Sequence, residues 1–338
     1  TKPTLVWNLT TDKPGQHSAR LSYETKGMTW WADYSLLFKP DSSDANKGTL
    51  DLSAWVSILN QSGAGYPNAT LKLIAGEINR ATPNQNVRTE MYTRGGIAMD
   101  AAAPQFEEKS FFEYHLYTLS QPTTLPSNST KQLELFPAVR EVPCEKVIVY
   151  DGQANQRFWG GVNMDQGFGA QSSPDVNVYI RFKNDEASKL GMPLPAGRIR
   201  VNQLDTPTQS GERRGRTEAD LGTPEFIGED VIRHTPRNES ILIKVGKAFD
   251  VVGERRQTAF SIDAERRTMR ETIEVKVRNR KKEPVRVIVQ ERMLRWTNWE
   301  FIGQAPNHTK EDATTVHFPL TLNADQEGTI TFTVQYTW

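Results

Sequence analysis

The chain has 338 residues, with 41 basic and 41 acidic side chains and one cysteine. That length supports two or three domains with cores that fold without covalent staples, and the charge balance removes the electrostatic case for a nucleic-acid or anionic-membrane partner. Cys144 alone permits no intrachain disulfide and no cysteine metal cluster, no window approaches the roughly 18 to 20 apolar residues of a membrane helix, and Thr1-Lys2-Pro3 opens no leader, so any signal peptide or anchor is expected outside this chain.

Strict alternation of apolar and polar residues predicts strands, because successive strand side chains point to opposite faces. A first strand is expected over 19–24. Met28, Trp30, Ala32, Tyr34, Leu36 and Phe38 then form one apolar face, and Leu50, Leu52, Ala54, Val56 and Ile58 form another. Pairing them as a hairpin with residue numbers summing to about 86 puts both faces on one side and sets Trp31 opposite Trp55 on the polar side. Further strands are expected at 70–78, 111–119, 131–136, 146–150, 176–182, 198–203, 241–245 and 251–257. Segments 81–109 and 204–224 carry no period able to bury a face and read as long irregular loops. The Gly-rich stretch 152–173 reads as a linker, and Cys144 follows a proline in an expected connector. Near the C-terminus Ile273, Val275 and Val277, then Val285, Val287 and Val289, then Val316, Phe318, Leu320 and Leu322, then Ile330 to Trp338 each alternate. Three apolar runs end on asparagine, at Asn60, Asn184 and Asn279, a residue that starts a turn cheaply by bonding local backbone.

The expected fold is therefore all-β: tandem antiparallel Ig-like β-sandwich modules with long irregular loops, over 1–140, 141–261 and 262–338. No long helix is expected.

The runs GMTWWADYSLLF (27–38), LDLSAWVSILNQSG (50–63), ATLKLIAGEINR (69–80), FEYHLYTL (112–119), LGMPLPAGRIRV (190–201), FIGEDVIRHTP (226–236) and KAFDVVGERRQT (247–258) occur in this order. Together they resemble the conserved C-terminal region of mucoidy-inhibitor-A-like proteins, a bacterial family of unknown function. The resemblance spans nearly the whole chain. It implies a cell-envelope or extracellular setting, and members often add an N-terminal domain and coiled coil behind a secretion signal, so the chain is expected to be a processed, short or truncated member. It carries no assigned site residues.

Candidate chemistry is sparse. His17, His115, His234, His308 and His317 are scattered without metal-ligand spacing, and no cofactor or structural metal is expected. His115 and His234 read as buried histidines bonded to backbone, and His317 as exposed. No nucleophile elbow occurs, so no catalytic residue is assigned. Glu229 and Asp230, or Asp250 and Glu254, read as partners of Arg233, Arg255 or Arg256. The glycines of 160–169 precede no strand-helix unit, and Arg213 to Arg216 read as a solvated loop. LGMPLPAG reads as a rigid corner. Six Asn-X-Ser/Thr sequons begin at Asn8, Asn60, Asn68, Asn128, Asn238 and Asn307.

Exposed aromatics are the remaining lead: Trp31, Trp55, Trp296 and Trp299 form the candidate interaction surface, able to stack on sugar rings unless the 81–109 loop or another module covers them. The expected function is a non-enzymatic binding or self-assembly module with a protein or glycan partner of the cell envelope, or copies of itself. The alternative is a metal-assisted hydrolase of envelope polymers, which would show as His115 and His234 gathered with carboxylates around a cleft.

Overall fold

The computed structural model describes residues 6, 8, 10–13, 15–76, 106–153, 156–158, 160–170, 172–205 and 223–338. They form strands β1 (Met28–Pro40), β2 (Lys47–Asn60), β3 (Tyr66–Ala69), β4 (Lys72–Ala75), β5 (Phe106–Phe111), β6 (Tyr114–Leu119), β7 (Thr123–Leu125), β8 (Ser129–Tyr150), β9 (Val176–Lys183) and β10 (Gly197–Asp205). There follow β11 (Thr223–Ile232), β12 (Ser240–Lys247), β13 (Val251–Asp263), β14 (Thr268–Asn279), β15 (Val285–Arg292), β16 (Trp299–Ile302), β17 (Thr309–Lys310), β18 (Thr315–Leu322) and β19 (Glu327–Thr337). The protein is all-β, and one 3₁₀ turn, Glu186–Ser188, is the sole helical element among the described residues. No helix among them is long and apolar enough to cross a membrane.

The main sheet runs β11-β10-β1-β2-β8-β15-β18-β17, with β9 on β8 and β12 on β9. A second sheet is β13-β14-β19-β16, and small sheets β4-β6-β5 and β3-β7 flank the first half. β8, 22 residues long, organises the molecule. β9 pairs with its residues 144–150 along one edge; along the other, β2 pairs with it as far as Glu145 and β15 takes over from Ile148. The first half of β8 therefore serves one core and its end serves another.

The first core gathers Tyr34, Leu36, Leu50, Leu52, Val142, Ile180, Ile199 and Ile243 with their neighbours. It lies within the part of the main sheet that curls until β12 meets β11. At that seam a Cβ on Gly228 would stand 2.1 Å from the Val245 carbonyl oxygen, so only glycine fits. The Lys244 N–H there donates to Asp230 Oδ2 at 2.8 Å, satisfying an edge donor through a side chain. The second core packs Ile148, Tyr150 and Val176 with the inner rows of β13, β14, β15, β18 and β19, with Phe318 stacked on Phe332 at 5.1 Å.

The hairpin register differs from expectation. β1 and β2 pair with residue numbers summing to 88, so Trp31 faces Ser57 and Asp33 faces Trp55. A shift by two preserves every inside-outside assignment, so alternation cannot distinguish the registers. What selects between them is the hairpin's ends: Gln61 N–H donates to the Gly27 carbonyl at 2.6 Å, and the Asp41–Asn46 turn closes on its own side chains.

Other expectations also shift. Segment 19–24 is irregular and exposed, and Cys144 lies buried within β8. Residues 106–109 belong to β5, 204–205 to β10 and 223–224 to β11, each recruited by pairing with a neighbour; the remainder of both expected loops lies outside the described residues. Position 140 falls inside β8 and position 261 inside β13, whose partner is β14.

The three strand-ending asparagines are more than turn starters. Asn60, Asn184 and Asn279 are all but completely buried. Asn60 Nδ2 donates to the carbonyls of Ala64, Leu125 and Pro126 at 2.9, 3.3 and 2.9 Å, and its Oδ1 accepts from Ser62 N–H at 3.1 Å. Asn279 repeats this geometry, donating to Glu283, Leu322 and Asn323 carbonyls and accepting from Lys281 N–H. Asn184 donates to Met192 and Pro236 carbonyls and accepts from Gly191 N–H. Each ties its own turn to a loop distant in sequence, satisfying partly or fully buried carbonyls from within the protein. Asn60 is thus no accessible sequon in the folded chain, while Asn68, Asn128 and Asn238 hold left-handed backbone conformations.

Candidate binding surfaces

Trp31 and Trp55 share the outer face of β1 and β2 as diagonal neighbours, and both are half-buried. Asp33 is the hub between them. Its Oδ2 accepts from Trp31 Nε1 at 2.7 Å and Ser57 Oγ at 3.3 Å, and its Oδ1 accepts from Arg198 Nη2 at 3.1 Å. β10 supplies Arg198 because it runs parallel to β1 with Arg198 beside Asp33. Glu134 of β8 faces Trp55, and burial there raises its carboxyl pKa. The arrangement fixes one indole by its N–H and leaves aromatic surface beside charged groups that can hydrogen-bond.

Trp296 and Trp299 pack elsewhere, against the second core. Trp299 Nε1 donates to the Ala313 carbonyl at 2.9 Å, its ring meets Phe301 edge-on at 5.4 Å, and the Lys310 ammonium sits 4.6 Å from its centroid. Trp296 lies beside Phe158 at 6.5 Å. The four tryptophans therefore occupy two places.

The histidines are dispersed. His115 is half-exposed and pairs with the Glu108 side chain at 2.7 Å rather than with backbone. His234 is exposed and its Nδ1 accepts from Ala196 N–H at 3.0 Å. His317 is half-buried, with Glu311 at 3.2 Å and Gln290 at 3.0 Å. Among the described residues no three His, Cys, Asp or Glu side chains are grouped to hold a metal. Burial pushes the Cys144 thiol up to about 12, away from thiolate chemistry. Of the expected carboxylate pairs, Glu229 meets Arg200 at 3.5 Å and Glu254 meets Arg278 at 3.0 Å and Arg256 at 3.6 Å.

A buried ionic cluster was not legible in advance. Arg295 is 1% exposed and uses all five of its N–H donors: Nε to Glu271 Oε2 at 2.8 Å, Nη1 to the Asn163 and Asp165 carbonyls, and Nη2 to the Phe168 carbonyl and Gln257 Oε1. Tyr336 donates to the other Glu271 oxygen at 2.9 Å. Arg255 Nε bonds Glu291 at 3.0 Å, and its Nη1 reaches the Gly169 carbonyl at 2.7 Å. Burial works against the Arg255 charge, but Glu291 and Glu271 outweigh it and its pKa is raised. The signal available in sequence was Arg255, Glu271 and Glu291 occurring at positions whose strand neighbours at i±2 face inward. The cluster fastens the Gly-rich linker to the second core.

A cleft of about 710 Å³ opens where the two cores meet, between the Asp41–Asn46 turn and the Glu283–Arg286 turn, with Lys146 of β8 inside it. Arg286 bonds Asp44 across the cleft at 2.5 Å. The N–H and amide of Asn46, aided by Arg286, hold the Asp44 carboxyl below its ordinary pKa, while burial, together with nearby Lys281, lowers that of the Lys146 ammonium.

No protein-family model and no curated protein matches this chain.

Proposed function

We propose that the protein is a non-enzymatic binding or assembly module of the bacterial cell envelope or extracellular space, with a glycan or protein partner or a second copy of itself. The observation that carries this reading is the Trp31–Asp33–Trp55–Arg198 face, where one indole is held by its N–H beside an ion pair and both rings retain exposed surface. Rigid aromatic surface rimmed by charge-assisted hydrogen bonding suits a sugar ring or a polar protein patch. Strand addition is the weaker route to assembly. The β11–β12 seam is closed by Asp230, and the start of β13 is covered through Gly253 N–H to the Pro174 carbonyl and Arg255 N–H to Ser172. The motif order that resembles mucoidy-inhibitor-A-like proteins supports the envelope setting, and we read the second core with its two facing sheets as an Ig-like sandwich.

Retention of the chain on a matrix of envelope polysaccharide, compared with Trp31→Ser and Trp55→Ser, tests the glycan arm, and sedimentation velocity of the same proteins tests self-assembly. Weaker retention or a lost oligomer in both variants is expected. Identical behaviour of all three proteins in both measurements overturns the reading.

A further inference from the structure

The inward side chains of β8 pass both cores in one row. Val142 and Cys144 end in the first core, Ile148 and Tyr150 in the second, and Lys146 occupies the position between. It stands where β2 has left the edge of β8 and β15 has not yet joined it. Its backbone N–H is satisfied by the Asn46 carbonyl at 2.7 Å. Its half-buried ammonium has no ion pair or hydrogen bond among the described residues. A charge in that situation is costly unless a partner arrives.

The carboxylates at the cleft are already engaged. Asp44 is held by Arg286 and Asn46, Glu283 lies 3.7 Å from Lys281, and Asp41 Oδ1 accepts from Ser43 N–H and Oγ and from Asp44 N–H. The remaining lining combines neutral hydrogen-bonding groups, Ser42, Gln203 and Thr321, with the apolar surfaces of Phe38, Pro40 and Pro284. We propose that this cleft binds a sugar acid, a small polyhydroxylated ring bearing one carboxylate, with the Lys146 ammonium donating to the carboxylate and the neutral groups meeting the hydroxyls. One unpaired cation matches a monoanion. A dianionic phosphate would instead face Asp44 and Glu283 with too little positive charge to offset them. The proline and phenylalanine surfaces suit the C–H face of a ring, and the volume lies within the usual range for small-ligand sites.

The site is separate from the Trp31–Trp55 face, so the two readings fail independently. The test is calorimetric titration of the full chain with D-glucuronate, with glucose, acetate and inorganic phosphate as comparisons. Saturable glucuronate binding is expected, with glucose showing none and acetate and phosphate binding much more weakly. Lys146→Met should weaken glucuronate binding about ten- to a hundredfold, the worth of a charge-assisted hydrogen bond. Gln203→Glu should weaken it through like-charge repulsion and carries the test should Lys146→Met fail to fold. Absence of saturable glucuronate binding overturns the proposal, as does wild-type affinity in a folded Lys146→Met or in Gln203→Glu, or acetate or phosphate binding as tightly as glucuronate.

Discussion

The two cores each fasten an irregular segment, and they do so with different chemistry. In the first, Tyr34 and Tyr117 donate to the Pro195 and Pro193 carbonyls at 2.8 Å each, holding the LGMPLPAG corner with neutral phenols. In the second, Arg295 and Arg255 hold the linker carbonyls of Asn163, Asp165, Phe168 and Gly169 with buried charges that Glu271 and Glu291 balance. Two prolines already limit the corner's freedom, so two hydrogen bonds suffice to place it. The linker is rich in glycine and polar residues, loses more entropy on ordering, and needs several strong bonds converging on one guanidinium. The difference makes the second core the more fragile to single substitutions, because removing half of a buried ion pair leaves the other half uncompensated.

That comparison breaks most directly at Arg295. Arg295→Met strands the Glu271 carboxylate and three linker carbonyls, and the expected loss of stability is about 3–5 kcal/mol in denaturant unfolding. A loss under about 1 kcal/mol would show that the cluster is not the anchor described. Asn279→Ala should cost roughly 1–3 kcal/mol by orphaning the Glu283 and Asn323 carbonyls, and Asn60→Ala should cost a similar amount in the first core, since the two corners share one geometry. Unequal losses would break that equivalence. Tyr34→Phe removes one neutral hydrogen bond and keeps the ring, so about 0.5–1.5 kcal/mol is expected, well below Arg295→Met.

The smallest effect concerns acid. The Asp312 carboxyl is held down to about 2 by the Thr314 N–H and, further, by Thr315 and the Thr314 hydroxyl. A depressed carboxyl contributes stability that is fully present above its unfolded pKa of about 4 and is lost as pH falls toward 2. Asp312→Asn should therefore lower stability slightly at pH 7, where that contribution is fully present, and converge with the unsubstituted chain as pH falls toward 2, flattening the acid limb between those values; a steeper acid limb in the variant would contradict the sign.

Much of the architecture was legible in the residues themselves. Alternation assigns the inner rows of β1, β2, β14, β15, β18 and β19 correctly, because a half-buried strand must repeat every two residues whatever it pairs with. The same periodicity is blind to shifts of two, which is why Trp31 meets Ser57 and not Trp55. Sequence also marks Asn60, Asn184 and Asn279 as turn residues, but not their long-range partners, since a side-chain amide needs a carbonyl that only the folded chain brings near. The candidate surfaces divide in the same way. Tryptophan identity was visible, whereas its separation into two sites, the convergence of Arg295 with Glu271, and the place of Lys146 between two cores, without an ion pair among the described residues, were decided by tertiary structure. Charge and aromaticity belong to single residues; burial, pairing and the lack of a partner belong to neighbours that lie up to more than a hundred positions away along the chain.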